Sequence, residues 1–195
     1  MTAVLVTLHG GNFVRGDASW DQEQTSMLRG LGFQVYQVDF PSRAGTTLAE
    51  ALAFLRTEVT RLKAQHPTLP CHVLGRSSGG YLAKVLFDEG LFTRAAYLAP
   101  VFSPAVRAAL VPALGRESAA YFDKQHVAPT AAWSSTHELL LLASDDAQVP
   151  AACFTAEQLA AARYPGPRTH TALVTLANDA LRETLAEFFY PVKPF

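Results

Sequence analysis

A serine hydroxyl is a poor nucleophile at neutral pH. It becomes competent when a base takes its proton, a third group orients the base, and preorganised donors receive the oxyanion that forms. Residues 71–80 hold a serine in a setting suited to nucleophilic attack, where a short apolar run leads into Gly75-Arg76-Ser77-Ser78-Gly79-Gly80. A serine on a sharp strand-to-helix turn needs glycine two residues away on each side, because a side chain there would meet neighbouring backbone. The acid can come from Asp145 or Asp146, which follow a leucine-rich run and precede Val149-Pro150. A carboxylate at that point could accept an imidazole N–H and stabilise the imidazolium. Asp146 is the choice of the two, and the other loop that could supply an acid, Ala99 to Ser103, contains none.

Six histidines compete to be the base: His9, His66, His72, His126, His137 and His170. His170 follows the acid and sits in a loop just before the last helical pattern, from which a side chain can reach across a sheet edge. His72 and His137 open predicted strands and belong at the opposite edge. His66 closes a helix, where a cation complements the dipole. His126 is the second choice for the base. For the oxyanion, Gly10-Gly11-Asn12 can present backbone N–H groups, and the Ser78 N–H begins the helix after the nucleophile. Gly11, Asn12 and Ser78 are the expected donors, which leaves His9 as a hydrogen bonder that fixes the loop. Arg76 has two readings, a charge beside the site or a structural ion pair.

These residues need elements to hold them. Ala3 to Leu8, residues 71–76, Arg94 to Leu98 and Glu138 to Ala143 are short apolar runs of the kind that buried strands require, and Phe33 to Val38 is read as a further strand. A sixth strand is expected near Arg163-Tyr164 or Thr169. Between them lie helical patterns. Ser19 to Gln22 and Thr47 to Glu50 have capping-box spacing, and Leu48, Leu52, Leu55, Val59 and Leu62 form one apolar stripe. Ser78 to Glu89 is helical with Gly90 as its stop, and a helix runs from about Thr155 to Ala162. A single long amphipathic helix is expected through Leu173, Leu176, Ala180, Leu185 and Phe188.

This alternation predicts an α/β fold, a three-layer α/β/α sandwich around a mainly parallel sheet of five to six strands. In such sheets ligands bind beyond the strand carboxyl ends, where His9, Ser77 and Asp146 all fall. The whole chain, residues 1–195, is read as one domain. Residues 101–137 are too long for a plain connection and are read as a small cap or pocket wall, with Phe102, Tyr121, Phe122 and Trp133 as core.

Composition narrows the function classes. Of 195 residues, 49% are hydrophobic and 17% charged, as in a well-buried globular enzyme. The formal charge of −1, with lysines and arginines scattered, gives no footprint for nucleic acid or an anionic membrane. Cys71 and Cys153 lack disulfide or metal-ligand spacing and read as buried free thiols. The first apolar run breaks at His9-Gly10-Gly11, short of a signal peptide or a membrane span, so a cytoplasmic protein is the expectation.

The order and spacing of these motifs resemble the α/β-hydrolase fold family. His9-Gly10-Gly11-Asn12-Phe13-Val14, with Gly16-Asp17, is similar to the His-Gly-Gly-Gly oxyanion loop of the hormone-sensitive-lipase-like esterases, with Asn12 where the third glycine would stand. Gly75-Arg76-Ser77-Ser78-Gly79-Gly80 is similar to their nucleophile elbow, and Asp146-Ala147-Gln148-Val149-Pro150 to their acid turn. The order Ser77, Asp146, His170 is the family's order. The chain starts at what would be the family's third strand, and His170 lacks the usual preceding glycine. The resemblance implies a serine hydrolase that cleaves a small carboxylic ester through an acyl-enzyme, without a cofactor. Amides, thioesters and arylformamides are alternatives for the same triad, and a non-catalytic binding protein on the same fold is the reading from another class.

Overall fold

The computed structural model describes residues 2–43, 45–122 and 133–190. Its centre is β1 (Val4–Leu8), whose five residues are all buried, beside β3 (Cys71–Arg76), whose six are buried as well. β2 (Gln34–Val38) is an edge strand and is buried only at Val38. β4 (Arg94–Leu98) and β5 (Glu138–Leu141) complete a five-stranded sheet in the order β2-β1-β3-β4-β5, with every pair parallel. The expected sixth strand is reduced to one parallel bridge between Leu141 and Arg163. Two main-chain bonds hold it, Arg163 N to Leu140 O and Leu142 N to Arg163 O, both 2.9 Å.

Strand residues alternate between two apolar layers, as the pleat requires. Val4, Val6, Leu8, Val73 and Tyr97 face one cluster, shared with Leu52, Leu55 and Leu62 of α2 (Leu48–Gln65) and Leu82 and Leu86 of α3 (Ser78–Asp88). Leu5, Leu74, Ala96, Leu98 and Leu141 face the other, shared with Leu28 of α1 (Gln22–Gly30) and the C-terminal helices. Helices on both faces of a parallel sheet make the three-layer fold. α2 begins with the expected capping box, Thr47 with Glu50, and Gly90 adopts a φ of 77° just after α3, the left-handed stop that ends a helix cheaply.

Three local expectations are corrected. Ser19 does not cap α1. It lies inside a 3-10 turn, Ala18–Asp21, and donates its N–H to the Asp17 carboxylate (2.7 Å), a charged acceptor two residues upstream. The long C-terminal helix is two helices, α7 (His170–Thr175) and α8 (Asp179–Phe189), following α6 (Ala156–Ala161). Asn178 starts α8 by accepting the Leu181 N–H at 2.9 Å, and Leu176, expected inward, is 49% exposed at the break. His170 therefore opens a short helix instead of sitting in a loop. Within residues 101–137, α4 (Pro104–Leu110), α5 (Pro112–Ser118) and a 3-10 turn (Ala119–Tyr121) are present, with Phe102 and Tyr121 buried in the first cluster. His126 lies outside the described residues.

The strand order fixes where a ligand can enter. From β1 the chain goes first to β2 on one side and then to β3 on the other, so the connections part at the carboxyl ends of β1 and β3. A crevice opens at such a switch point. The loop His9–Asn12 leaves one of those strands and Ser77 follows the other.

His72 is buried at the opposite end of β3, and burial, reinforced by the charge of Arg94, lowers its pKa from 6.5 to about 4. The unfolded chain takes up this proton near 6.5 and the folded chain resists it. The stabilisation is therefore complete above pH 6.5 and is lost as pH falls toward 4, up to roughly 3 kcal/mol. His72→Leu should flatten the stability profile over that window. Urea unfolding of both proteins at pH 7 and pH 4.5 measures it, and parallel losses in the two would contradict the assignment.

Candidate active site

Ser77 is held on a strained turn. Its φ of 49° and ψ of −117° are unusual for a residue with a side chain. The backbone around it leaves little choice: its N–H donates to Leu98 O at 2.9 Å, and its carbonyl accepts from Gly80 N and Val101 N, each at 3.0 Å. The flanking glycines are sterically required. A Cβ on Gly79 would lie 2.3 Å from His9 O, and one on Gly75 would lie 2.6 Å from Gly79 O. β3 can thus hand over to α3 directly beneath the loop that leaves β1.

The turn presents Ser77 Oγ to His170 Nε2 at 3.0 Å, and the other ring nitrogen, Nδ1, stands 2.8 Å from Asp146 Oδ2. The Asp146 side chain is only 6% exposed and its second oxygen is fixed too, since Oδ1 accepts the N–H groups of Gln148 (2.9 Å) and Val149 (2.8 Å). Its neighbour Asp145 turns outward and pairs with Arg168 at 2.7 Å. A buried carboxylate, an imidazole and a hydroxyl in line can move a proton off the hydroxyl and keep the resulting imidazolium oriented.

Gly11 and Asn12 border the same cavity, of about 130 Å³, as Ser77 and His170. Gly10 packs against Ser77 closely enough that a Cβ there would be 3.2 Å from Ser77 Cβ. Among the described residues the N–H groups of Gly11, Asn12 and Ser78 meet no protein acceptor. His9 belongs to the loop: its ring stacks on Phe40 at 4.1 Å, with Nδ1 2.6 Å from Gly10 O. Burial lowers its pKa, against the opposing pull of Gly10 O and Asp39.

Over residues 5–192 the sequence matches the alpha/beta hydrolase family. The chain belongs to that family. No curated protein matches the sequence. Similar solved structures include an acetyl ester-xyloside bifunctional hydrolase from Caldicellulosiruptor lactoaceticus, 16% identical, with a TM-score of 0.68 over 96% of this chain and 82% of that one. A hormone-sensitive lipase from a metagenome library is 16% identical, with a TM-score of 0.70 over 95% of this chain and 76% of that one. Esterase B from Lactobacillus Rhamnosis is 17% identical, with a TM-score of 0.69 over 97% and 74%. At these identities the likeness concerns the fold.

In this alpha/beta hydrolase several residues that motifs alone leave unassigned support the site. Arg76 makes a buried ion pair with Asp21, and its Nε donates to Gln24 Oε1 at 2.6 Å. Burial lowers its pKa to about 10, with Asp21 pulling the other way. Gln24 in turn donates to the carbonyls of Leu173 (2.8 Å) and Leu176 (3.0 Å). The residue before Ser77 is therefore tied, through α1, to the end of the helix that carries His170. Across the cavity the Asn12 side chain donates to Leu114 O (2.9 Å) and Glu117 Oε2 (2.8 Å), and its Oδ1 accepts from buried Arg107. Asn12 fastens the loop after β1 to α4 and α5. These contacts join residues far apart in the chain and leave no local signature; a polar residue where a family pattern has glycine is the one available hint.

Among the described residues, no cluster of His, Cys, Asp and Glu could hold a metal ion, both cysteines are free and buried, and no helix is long and apolar enough to cross a membrane.

Gln24→Leu would keep the volume of the side chain while leaving Arg76 Nε and two carbonyls without their partner. A loss of roughly 2–4 kcal/mol in urea unfolding is expected, against less than about 0.5 kcal/mol for exposed Gln22→Leu. Equal effects of the two substitutions would deny Gln24 its bridging role.

Proposed function

We propose that the protein is a serine hydrolase that cleaves a small carboxylic ester through an acyl-enzyme on Ser77. The observation that carries this reading is the unbroken chain Ser77 Oγ, His170, Asp146, with heavy-atom separations of 3.0 and 2.8 Å. In the first half-reaction Ser77 Oγ attacks the ester carbonyl while His170 Nε2 takes its proton. The carbonyl π electrons move onto oxygen, and the N–H groups of Gly11, Asn12 and Ser78 are the donors for that charge. Collapse breaks the bond to the leaving alcohol, which departs with the proton from His170. Water then attacks the acyl-enzyme by the same route, with His170 again as base, and releases the carboxylic acid and free Ser77. Asp146 remains ionised throughout. No step requires a cofactor.

The cavity beside Ser77 suits a small acyl group. At about 130 Å³, it compares with the roughly 150 Å³ of an engineered cavity that admits benzene. Short chains fit that space. A purely binding role is disfavoured by the same geometry, because a strained serine facing a base that is itself carboxylate-anchored would serve no purpose there.

Purified protein should hydrolyse p-nitrophenyl acetate and butyrate and discriminate against the octanoate. Ser77→Ala should reduce turnover to background, and Asp146→Asn should cost on the order of 10²–10⁴ in kcat. Ser77→Ala retaining the wild-type rate would overturn the proposal, and a preference for octanoate would overturn the assignment of chain length.

A further inference from the structure

One arginine beside the cavity has far more hydrogen-bonding capacity than its described partners use. Three arginines line the cavity, Arg15, Arg76 and Arg107. Arg76 is paired with Asp21, and Arg15 with Glu117 at 3.1 Å. Arg107 is 2% exposed, yet among the described residues its guanidinium donates only to neutral oxygens: Asn12 Oδ1, and Ser118 Oγ at 3.5 Å. Its Nε is buried without a protein partner among those residues. The nearby carboxylates are committed elsewhere. Glu117 receives Asn12 and Arg15, while Asp146 receives His170 and two backbone N–H groups.

A buried guanidinium whose donors go unpaired is costly, and although Glu117 and Asp146 act on Arg107 through space, neither hydrogen-bonds to it among the described residues. Anchoring Asn12 requires one donor and no charge. An arginine offers five N–H donors in a planar fork suited to a carboxylate, and most of that fork is unused. From this we infer that the substrate is a short ester bearing a carboxylate, a half-ester of a small dicarboxylic acid, whose free carboxylate Arg107 neutralises inside the cavity it shares with Ser77. The inference rests on the hydrolytic reading above and adds the substrate's charge to it. Ser77 and Arg107 line the same small cavity, which suits an ester and a carboxylate a few carbons apart.

Monoethyl succinate and ethyl butyrate test this. They have the same reacting ester and the same chain length, and differ in a terminal carboxylate against a methyl group. Titration of released acid at constant pH should give wild type a kcat/KM roughly 10- to 100-fold higher for monoethyl succinate. Arg107→Gln should bring the ratio near one, whatever its effect on absolute rates through Asn12. Arg107→Lys, which retains the cation and a donor for Asn12, should keep a ratio above one and guards against a folding defect in the first variant. Calorimetry supplies a readout independent of catalysis: Ser77→Ala protein should bind succinate more tightly than butyrate, and adding Arg107→Gln should remove the difference. A wild-type ratio of one or less, or a ratio unchanged by Arg107→Gln, would overturn the inference. Arg107-dependent succinate binding without turnover of either ester would instead uphold the anion site and discard the hydrolytic reading.

Discussion

The backbone of Ser77 sits at a φ of 49°, a conformation that a residue with a side chain holds only where its surroundings leave no alternative. Three main-chain bonds tie the turn to the end of β4, the residues just beyond it and α3, and Gly75 and Gly79 let the strand, the helix and the β1 loop approach within contact distance of one another. The rest of the site inherits its position from this turn. Its strain, of order 1–3 kcal/mol, is small beside the burial of β1 and β3 on both faces. The parallel sheet supplies rigidity, and its switch point supplies the opening into which the hydroxyl projects.

Buried charges form a second tier of support. Arg76 is fully enclosed, and its pairing with Asp21 and Gln24 converts an expensive group into a cross-link between β3, α1 and the end of α7. His170 is thereby held from two directions, by Asp146 at its ring and by Gln24 at the far end of its helix. A short helix of six residues has little stability of its own, so these tertiary contacts determine where its first residue points. On the opposite wall Asn12 has a comparable role, exchanging a glycine's freedom for three hydrogen bonds to α4 and α5.

Much of this is legible in the sequence, for physical reasons that differ from element to element. Strands buried on both faces stand out as apolar runs, as β1, β3, β4 and β5 do, whereas the edge strand β2 shows instead as a short β-prone stretch between turn residues. The Thr47–Glu50 box and the Gly90 stop are local chemistry and appear as expected. Ser19 departs from its motif because a charged acceptor, Asp17, lies within two residues and takes its N–H. The last helix departs because the apolar period continues across Leu176, although Asn178 followed by Asp179 is itself a helix-start signal. Arg107, Gln24 and Glu117 give no signal for another reason: their partners lie far along the chain, and no spacing rule links residue 12 to residue 107 or residue 24 to residue 176.

The central claim is that Ser77, and no other group, is the activated nucleophile. Treatment with a fluorophosphonate followed by peptide mass spectrometry tests it most directly. One stoichiometric adduct is expected on the peptide containing Ser77, lost in Ser77→Ala and strongly slowed in His170→Gln. An unlabelled wild-type protein under conditions where a control serine hydrolase reacts, or an adduct on any other residue, would contradict it.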